Sequence, residues 1–288
     1  MVKEEREKDG HICYLRYYRD WLEFVSCAEK VLAGCEGKWF NGGGCRSLDI
    51  GEAGWFGTSS LKETIDLARN GWPEGRQHLA IPGLSAENLF TFSQRIIRQI
   101  DTAGDEPDIG LFLQGEPEHM VTLVETIERN RGKVIRILLN RACSSDIGID
   151  RVVRKGVSVF AAIQNLMLLG FAVEITIVEA CSRSSYEYVQ FIPILHAGEP
   201  INLDTLAFML IHPSVLRRLC FSAEECESPE IRRRFEFFSS RGYGIPCEPS
   251  FHEEYDLYLP WRKGLVGSDA EVVPFFKQIL NEVGVQLP

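Results

Sequence analysis

The stretch KVIRILLN (133–140), followed by a helical segment from Val152 to Leu169 and by FAVEITIV (171–178), decides the fold of this chain. The first and last pieces are short runs of β-branched and other apolar residues, which predict buried strands. The middle segment repeats apolar residues at helical spacing and is closed by Gly170, a residue type that commonly follows the last turn of a helix. A strand, a helix and a second strand in this order predict a right-handed crossover between parallel strands.

The flanking segments continue this alternation. The sequence predicts a strand over 108–113, a helix from Pro117 to 129, a strand over 188–195, helices over 203–211 and 214–225, a strand over 255–259, and a helix opened by the capping box Ser268 to Glu271. Strands separated by helices predict an α/β fold, in which a mainly parallel, Rossmann-like sheet over 107–288 is flanked by helices.

Residues 1–106 are expected to form a mostly helical N-terminal region packed on this core. The predicted helices span 20–33, 60–70 and 85–100, and Ser60 with Glu63 forms a capping box at the start of the second. A short strand is predicted at 12–15, and the charged residues 1–10 are expected to be frayed. The glycine-rich segment 34–57 lacks GKS, GKT and GxGxxG, so a surface loop is favoured over a phosphate loop.

The composition limits the function classes. A formal net charge of −10 gives no general attraction to phosphate backbones or anionic membranes, so nucleic-acid binding would need a local basic patch. No apolar run is long enough to span a membrane and the N-terminus is charged, so we expect a cytoplasmic protein with no membrane partner.

The nine cysteines contain no CxxC pair, which favours buried reduced thiols, and the spacing of Cys35 and Cys45 is unlike that of zinc loops. The sequence therefore predicts no cofactor and no metal site.

The loop after the strand 133–140 is the candidate site. Ligands of open parallel sheets bind beyond the carboxyl ends of the strands, and this loop offers oxygen ligands and a cation. Its polar residues are Asn140, Arg141, Ser144, Ser145 and Asp146. The alternative is that these residues only cap the following helix, as Ser and Asp often do.

The same loop resembles a degenerate metal-dependent adhesion motif of von Willebrand factor A-like domains. That motif is a strand ending in Asp-x-Ser-x-Ser, and Asn140, Ala142 and Ser144 stand at its three positions here. The resemblance covers about residues 133–283 and implies an interaction fold. Replacement of the charged ligand and of one hydroxyl implies that Mg²⁺ affinity is badly weakened.

Several stretches resemble uncharacterised proteins encoded by tailed phages and prophages. They are WFGT (55–58) with GWPEG (71–75), GEPEHM (115–120), and HPS (212–214) with LRR (216–218). This resemblance implies a viral or mobile-element origin, and hence the cytoplasm of a host cell, without an assigned activity.

A second charged stretch, from Arg217 to Arg241, interleaves arginine with phenylalanine. Such a pattern can hold phosphates and stack bases, and we expect Arg217 and Arg218, together with Arg141, to contact an anionic partner. Glutamates in the same stretch nearly cancel its charge, so a helical surface with ion pairs is the alternative.

The sequence thus predicts a non-catalytic binding or assembly protein whose partner is a protein or a nucleic acid, and it leaves the oligomeric state open. The alternative is an enzyme acting on nucleic acid or a nucleotide at the strand ends, which would require Asp146 or Cys143. Cys143 would act as a nucleophile only if His119, His196 or His212 lay beside it. No GxSxG, HExxH, DxD or HxH motif is present.

Overall fold

A computed structural model describes residues 1–8, 10–34, 46–48, 53–79, 94–127, 133–200, 202–237, 243–252 and 254–285. Cys35, Cys45, most of the glycine-rich segment and the first part of the helix predicted over 85–100 lie outside these residues. Within them the strands are β1 (Val2–Lys8), β2 (His11–Tyr17), β3 (Gln94–Asp101), β4 (Glu106–Pro107), β5 (Met120–Ile127), β6 (Val134–Asn140), β7 (Ala172–Arg183), β8 (Tyr186–Leu195), β9 (Ile245–Pro246) and β10 (Leu257–Leu259). The helices are α1 (Trp21–Gly34), α2 (Ala53–Phe56), α3 (Leu61–Asn70), α4 (Ile109–Leu113), α5 (Ile149–Leu168), α6 (Leu203–Ile211), α7 (Phe221–Glu225), α8 (Pro229–Arg234) and α9 (Val272–Glu282).

The main sheet has seven strands in the described residues, in the order β1-β2-β8-β7-β6-β10, with β9 also pairing with β7. The predicted crossover is present: β6 and β7 are parallel neighbours joined through α5, and β10 is parallel to the other edge of β6. The prediction of a mainly parallel sheet is wrong, because β8 is antiparallel to β7 and β1 is antiparallel to β2. The fold is therefore α/β with a mixed sheet.

Strand β8 runs antiparallel to β7 because a tight hairpin joins the two strands. Arg183 pairs with Tyr186, so Ser184 and Ser185 form the whole connection, and Ser184 adopts a left-handed φ of 53°. Hairpin turns of this kind favour Asn and Gly at such positions. Ser184 and Ser185 do not carry this hairpin signal, so the sequence suggested that β8 is parallel to its neighbours.

The charged N-terminus is a strand and not a frayed segment. Residues 2–8 pair with β2 along its whole length, and β2 pairs in parallel with β8. Residues of β1 are mostly exposed and charged, a composition that protects an edge strand from pairing with other chains. Strand pairing therefore links the first residues to the sheet formed by residues beyond 133.

The segment 94–127 also differs from the prediction. Residues 94–101, predicted as helix, form β3, and residues 120–127, predicted as helix, form β5, which pairs with β3 and β4 in a separate three-stranded antiparallel sheet. Residues 109–113, predicted as strand, form α4, because the Asp108 side chain accepts a hydrogen bond from Leu111 N at 3.1 Å and caps a helical turn. Short apolar runs fit both the helical period of about 3.6 residues and the strand period of two. Here the pairing of β3 with β5 makes both segments strands.

Helices cover one face of the main sheet. Alternate residues of β6 such as Ile137 and Leu139 pack with α5, α6 and α9, and Ile177 of β7 and Ile192 of β8 pack with α1 and α3. The opposite face, which includes Leu138 and Val178, is packed against aromatic residues of 247–258. Residues of β7 at odd positions therefore point toward the helices, a direction that matters for the site.

In the described ranges, no single helix is long and apolar enough to cross a membrane. The helical segment Val215–Glu225 reaches that length and composition only together with α6, across a bend of 74°.

Candidate binding site at the strand ends

A cavity of about 360 Å³ lies at the carboxyl end of β6, where the sequence placed the site. We call it the strand-end cavity. It is lined by Trp55, Ala142, Cys143, Ser144, Ser145, Glu179, Cys181, Leu216, Arg217, Phe221, Tyr243, Gly244, Ile245 and Pro246. β7 forms one wall because it continues past its last partner on β6, which pairs Asn140 with Val178.

The loop after β6 supplies the rim of the cavity. Of the predicted loop residues, Ser144 and Ser145 line it, whereas Asp146 is exposed and is not a lining residue. A hydrogen bond from the Ser144 hydroxyl lowers the pKa of the Asp146 carboxyl. The hydroxyls of Ser144 and Ser145 are therefore the groups of this loop that a ligand in the cavity can reach.

Asn140 is structural in this arrangement. It is buried, its Nδ2 donates to the carbonyl of Cys247 at 3.0 Å and to the Tyr258 hydroxyl at 3.2 Å, and its Oδ1 accepts from Ala142 N at 3.0 Å. Both ends of the amide are thus used inside the fold, where they connect β6 to the segment that covers the opposite face of the sheet.

A buried lysine lies beneath the same loop. Lys155 Nζ donates to the carbonyl oxygens of Asn140 at 3.1 Å, Pro260 at 2.7 Å and Trp261 at 3.1 Å. Burial, with a smaller contribution from the positive charge of Arg141, lowers the pKa of Lys155 to about 7. The ammonium group supplies a cation at the carboxyl end of β6 from within the chain.

The three arginines predicted to meet an anionic partner are in different positions. Arg217 lines the cavity: its guanidinium lies 4.5 Å from the centroid of the Trp55 ring, and it donates to the carbonyls of Trp55 at 2.7 Å and Ile147 at 2.6 Å. Arg141 is buried and donates to the carbonyls of Leu210 and His212. Arg218 is fully buried and donates to Thr58 and to the carbonyl of Ser47. Only Arg217 of the three is brought to the cavity.

The remaining candidates for chemistry do not meet in this cavity. Burial raises the pKa of the Cys143 thiol despite the opposing charges of Arg217 and Arg141, so the thiol stays protonated at neutral pH and is a poor nucleophile. His212 lines a second cavity of about 440 Å³ together with Trp72 and His78. His119 lies at the start of β5, bonded to the carbonyl of Glu116.

The inner wall of the cavity carries acidic residues that the sequence analysis did not single out. Glu179 and Cys181 of β7 line the cavity, and Glu224 of α7 faces them; one ligand atom from each lies within 4.8 Å of the others. Gln190, the register partner of Glu179 on β8, donates from Nε2 to Glu179 Oε2 at 3.1 Å. The only signal for this group in the sequence was a Glu and a Cys two residues apart in an apolar strand, which places both on one face.

Ionising the Glu179 and Glu224 carboxyls at the same time costs electrostatic free energy. At an effective dielectric constant of about 20, two negative charges within 4.8 Å repel each other by about 3 kcal/mol or more. Burial raises the pKa of Glu179 to about 7, and burial together with the Glu179 carboxyl raises the pKa of Glu224 well above its usual range. Without a cation, the pair therefore holds at least one proton at neutral pH.

Aromatic residues form the other wall. The rings of Phe221 and Tyr243 are stacked with centroids 3.9 Å apart, and Trp55 lies 6.2 Å from Phe221. Tyr243 is held by a hydrogen bond from its hydroxyl to Glu225 Oε1 at 2.5 Å. The cavity thus combines flat apolar surfaces, hydroxyl groups at the rim and a carboxyl group at its inner end.

A model of one protein family, described as a domain of unknown function (DUF7192), matches residues 6–285. No curated protein and no solved structure matches the chain.

Proposed function

Because this chain belongs to the family of the domain of unknown function DUF7192, we propose from its site that it is a non-catalytic binding or assembly protein. It receives part of a protein or nucleic-acid partner in the strand-end cavity. The observation that carries this proposal is the composition of the cavity, which joins aromatic walls at Trp55 and Phe221 to a hydroxyl rim at Ser144 and Ser145. Cavities of this size with a few convergent polar groups are typical binding sites.

The separation of the reactive groups supports a binding role over catalysis. Cys143 faces the cavity without a histidine among the cavity's lining residues, and Asp146 lies outside it. The enzyme alternative requires Cys143 or Asp146. In this arrangement no histidine among the lining residues is placed to act as the base for Cys143.

The proposal includes a finer assignment of the fold and origin. The parallel strands β6 and β7 joined through α5, with Asn140, Ala142 and Ser144 in the loop after β6, support a degenerate von Willebrand factor A-like domain that has lost its metal ligands. A phage or prophage origin, suggested by the quoted stretches, would place the protein in the cytoplasm of a host cell.

The partner class is tested with labelled single-stranded RNA and DNA oligonucleotides, after purification through high salt and nuclease. If a base enters the cavity, Trp55→Ala weakens binding by about 1–3 kcal/mol, the usual value of one stacked base. His78→Ala, which alters the second cavity, is the matched control and leaves affinity unchanged.

If no oligonucleotide binds, cross-linking and pull-down with host and phage proteins replace the oligonucleotides. A partner whose capture is lost in Trp55→Ala and kept in His78→Ala supports the proposal. Turnover of a nucleic acid with Mg²⁺ that is lost in a Cys143→Ala, Asp146→Ala double variant would contradict it and favour the enzyme.

A further inference from the structure

Three potential metal ligands meet at the inner end of the strand-end cavity. Glu179 and Cys181 are two residues apart on β7 and point to the same side, and Glu224 reaches them from α7. All three side chains are buried, and their ligand atoms lie within 4.8 Å of one another.

The second observation is the isolation of the Glu224 carboxyl. Within the described residues, neither of its oxygens has a hydrogen-bond partner apart from the neighbouring Glu179 carboxyl, although the side chain is fully buried. The next acidic residues of the chain are treated differently: Glu225 accepts from Ser47 N at 3.1 Å and from Tyr243, and Glu227 accepts from Arg16 and Lys3. The fold thus supplies donors to the neighbours of Glu224 and not to Glu224 itself, so a buried carboxyl aimed at Glu179 and Cys181 has no partner outside this group of three.

We propose that Glu179, Cys181 and Glu224 together bind one divalent transition-metal ion of the Zn²⁺ type. Such an ion supplies the missing partner of Glu224. A thiolate ligand favours Zn²⁺ or Co²⁺ over Mg²⁺, which prefers oxygen ligands only. Ligands of a tetrahedral zinc site lie about 3.3–3.8 Å apart, given bonds of about 2.0–2.3 Å, so small side-chain rotations close the observed group around an ion. On binding, the thiol proton and any carboxyl proton pass to solvent.

The surroundings orient two of the ligands. Gln190 donates to Glu179 Oε2 and is itself bonded to the Tyr18 hydroxyl at 3.4 Å, which fixes one oxygen and leaves Oε1 for the ion. Gly244, at a φ of 92°, lies so close to Cys181 that a Cβ there would be 2.9 Å from its Sγ. Partners of this kind, one step removed from the ion, commonly hold metal ligands in place.

The cavity gives the ion a route and an open position. Glu179 and Cys181 line it, so an ion enters from the solvent side, and three protein ligands leave a fourth tetrahedral position facing the cavity. This inference stands on the three side chains alone and does not depend on the partner proposed above.

The test uses the full chain, stripped with a chelator, and titrated with ZnCl₂, CoCl₂ and MgCl₂ by calorimetry and absorption spectroscopy. One equivalent of Zn²⁺ or Co²⁺ is expected to bind, with a thiolate-to-cobalt charge-transfer band, and Mg²⁺ is not. Glu224→Gln and Cys181→Ser each weaken Zn²⁺ binding by about 100-fold or more, since even outer partners contribute about 10–100-fold. Only Cys181→Ser also removes the charge-transfer band.

The matched control is Cys143→Ser, which removes another thiol of the same cavity and leaves Zn²⁺ affinity within about threefold of the wild type. Absence of stoichiometric Zn²⁺ and Co²⁺ binding, or wild-type affinity in both ligand variants, overturns the proposal. If Cys181→Ser does not fold, Glu224→Gln decides the matter, because it keeps the shape of the side chain and removes a buried, unpartnered carboxyl.

Discussion

Lys155 Nζ, on the second turn of α5, donates a hydrogen bond to the carbonyl oxygen of Asn140 at 3.1 Å, at the point where β6 ends. The same ammonium group also binds the carbonyls of Pro260 and Trp261, which follow β10. One buried cation therefore joins the ends of two neighbouring parallel strands and the helix between β6 and β7.

Lys155→Met is expected to destabilise the fold by about 3 kcal/mol, because it leaves three buried carbonyl groups without their common donor. The free energy of unfolding is measured by urea denaturation with an unchanged m-value. Arg154→Met is the matched control. Its ion-pair partner Asp269 is largely exposed, so the change is below about 1 kcal/mol. Equal losses in the two variants would show that the Lys155 contacts have no special role.

His212 is expected to destabilise the fold as the pH drops below about 6.5, because it is buried in its neutral form, whereas the raised pKa of Glu179 contributes with the opposite sign. Burial, and next the charge of Arg141, lower its pKa to about 4 from the usual value of about 6.5. Between these values the unfolded chain binds the extra proton, so the contribution of His212 to the free energy of unfolding decreases by about 2 kcal/mol on going from pH 6.5 to pH 5.

Chemical denaturation at a series of pH values measures this slope. His212→Asn keeps an acceptor for the Ser214 N–H group, which lies 3.2 Å from Nδ1, and removes the titration. The variant is less stable at pH 7, and its deficit relative to the wild type shrinks by about 2 kcal/mol between pH 6.5 and pH 5. A variant with the wild-type slope would assign the pH dependence to another group.

Gly156→Ala tests the close approach of α5 to α6. A Cβ at Gly156 would lie 2.3 Å from the carbonyl oxygen of Leu210 and 2.6 Å from Ile211 Cα, and backbone atoms cannot yield as a flexible side chain can. We expect a loss of about 3 kcal/mol in the free energy of unfolding. Gly54→Ala, where no atom lies within 4 Å of the added Cβ, is expected to change stability by less than about 1 kcal/mol.

Glu227→Gln tests the buried ion pair that ties β2 to the segment after α7. Arg16 Nη2 lies 3.3 Å from Glu227 Oε2, and both side chains are buried. Burial alone would raise the pKa of Glu227, but Arg16 and Lys3 outweigh it and lower that pKa. Removal of the negative charge leaves Arg16 buried without its counter-charge, so the expected loss is about 3–5 kcal/mol.

The control for this variant is Glu230→Gln, which alters an exposed pair with Arg234 four residues away on α8. Its expected effect is below about 0.5 kcal/mol. A loss for Glu227→Gln as small as that of the control would mean that Arg16 keeps its hydration in the folded state.

The sequence predicted those elements that depend only on residues close together in the chain. The cap at Ser60, whose side chain accepts from Glu63 N at 3.1 Å, and the strand of β6 with alternate buried residues both follow from neighbouring residues in the chain. The hairpin at Ser184 and the pairing of β3 with β5 depend on contacts that short apolar runs do not encode, so they were not predictable in this way.

The candidate site shows the same limit. The position of Ser144 and Ser145 at the strand end followed from the rule for parallel sheets, because only the end of β6 had to be known. Glu224 belongs to a stretch of glutamates that is typical of a solvated helix, and its burial depends on where α7 packs. A charge pattern alone does not distinguish a buried carboxyl from an exposed one.

The parallel pairing of β2 with β8 has a consequence for biosynthesis. Ile12 lies opposite Tyr186, so the hairpin of β1 and β2 has no neighbour in the sheet until the residues between β2 and β8 have been translated. At about 5–20 residues per second, the nascent hairpin waits for roughly 10–30 s. Through that interval the charged residues of β1 keep an unpaired edge in solution, and β2 pairs with β8 only after β8 has been translated.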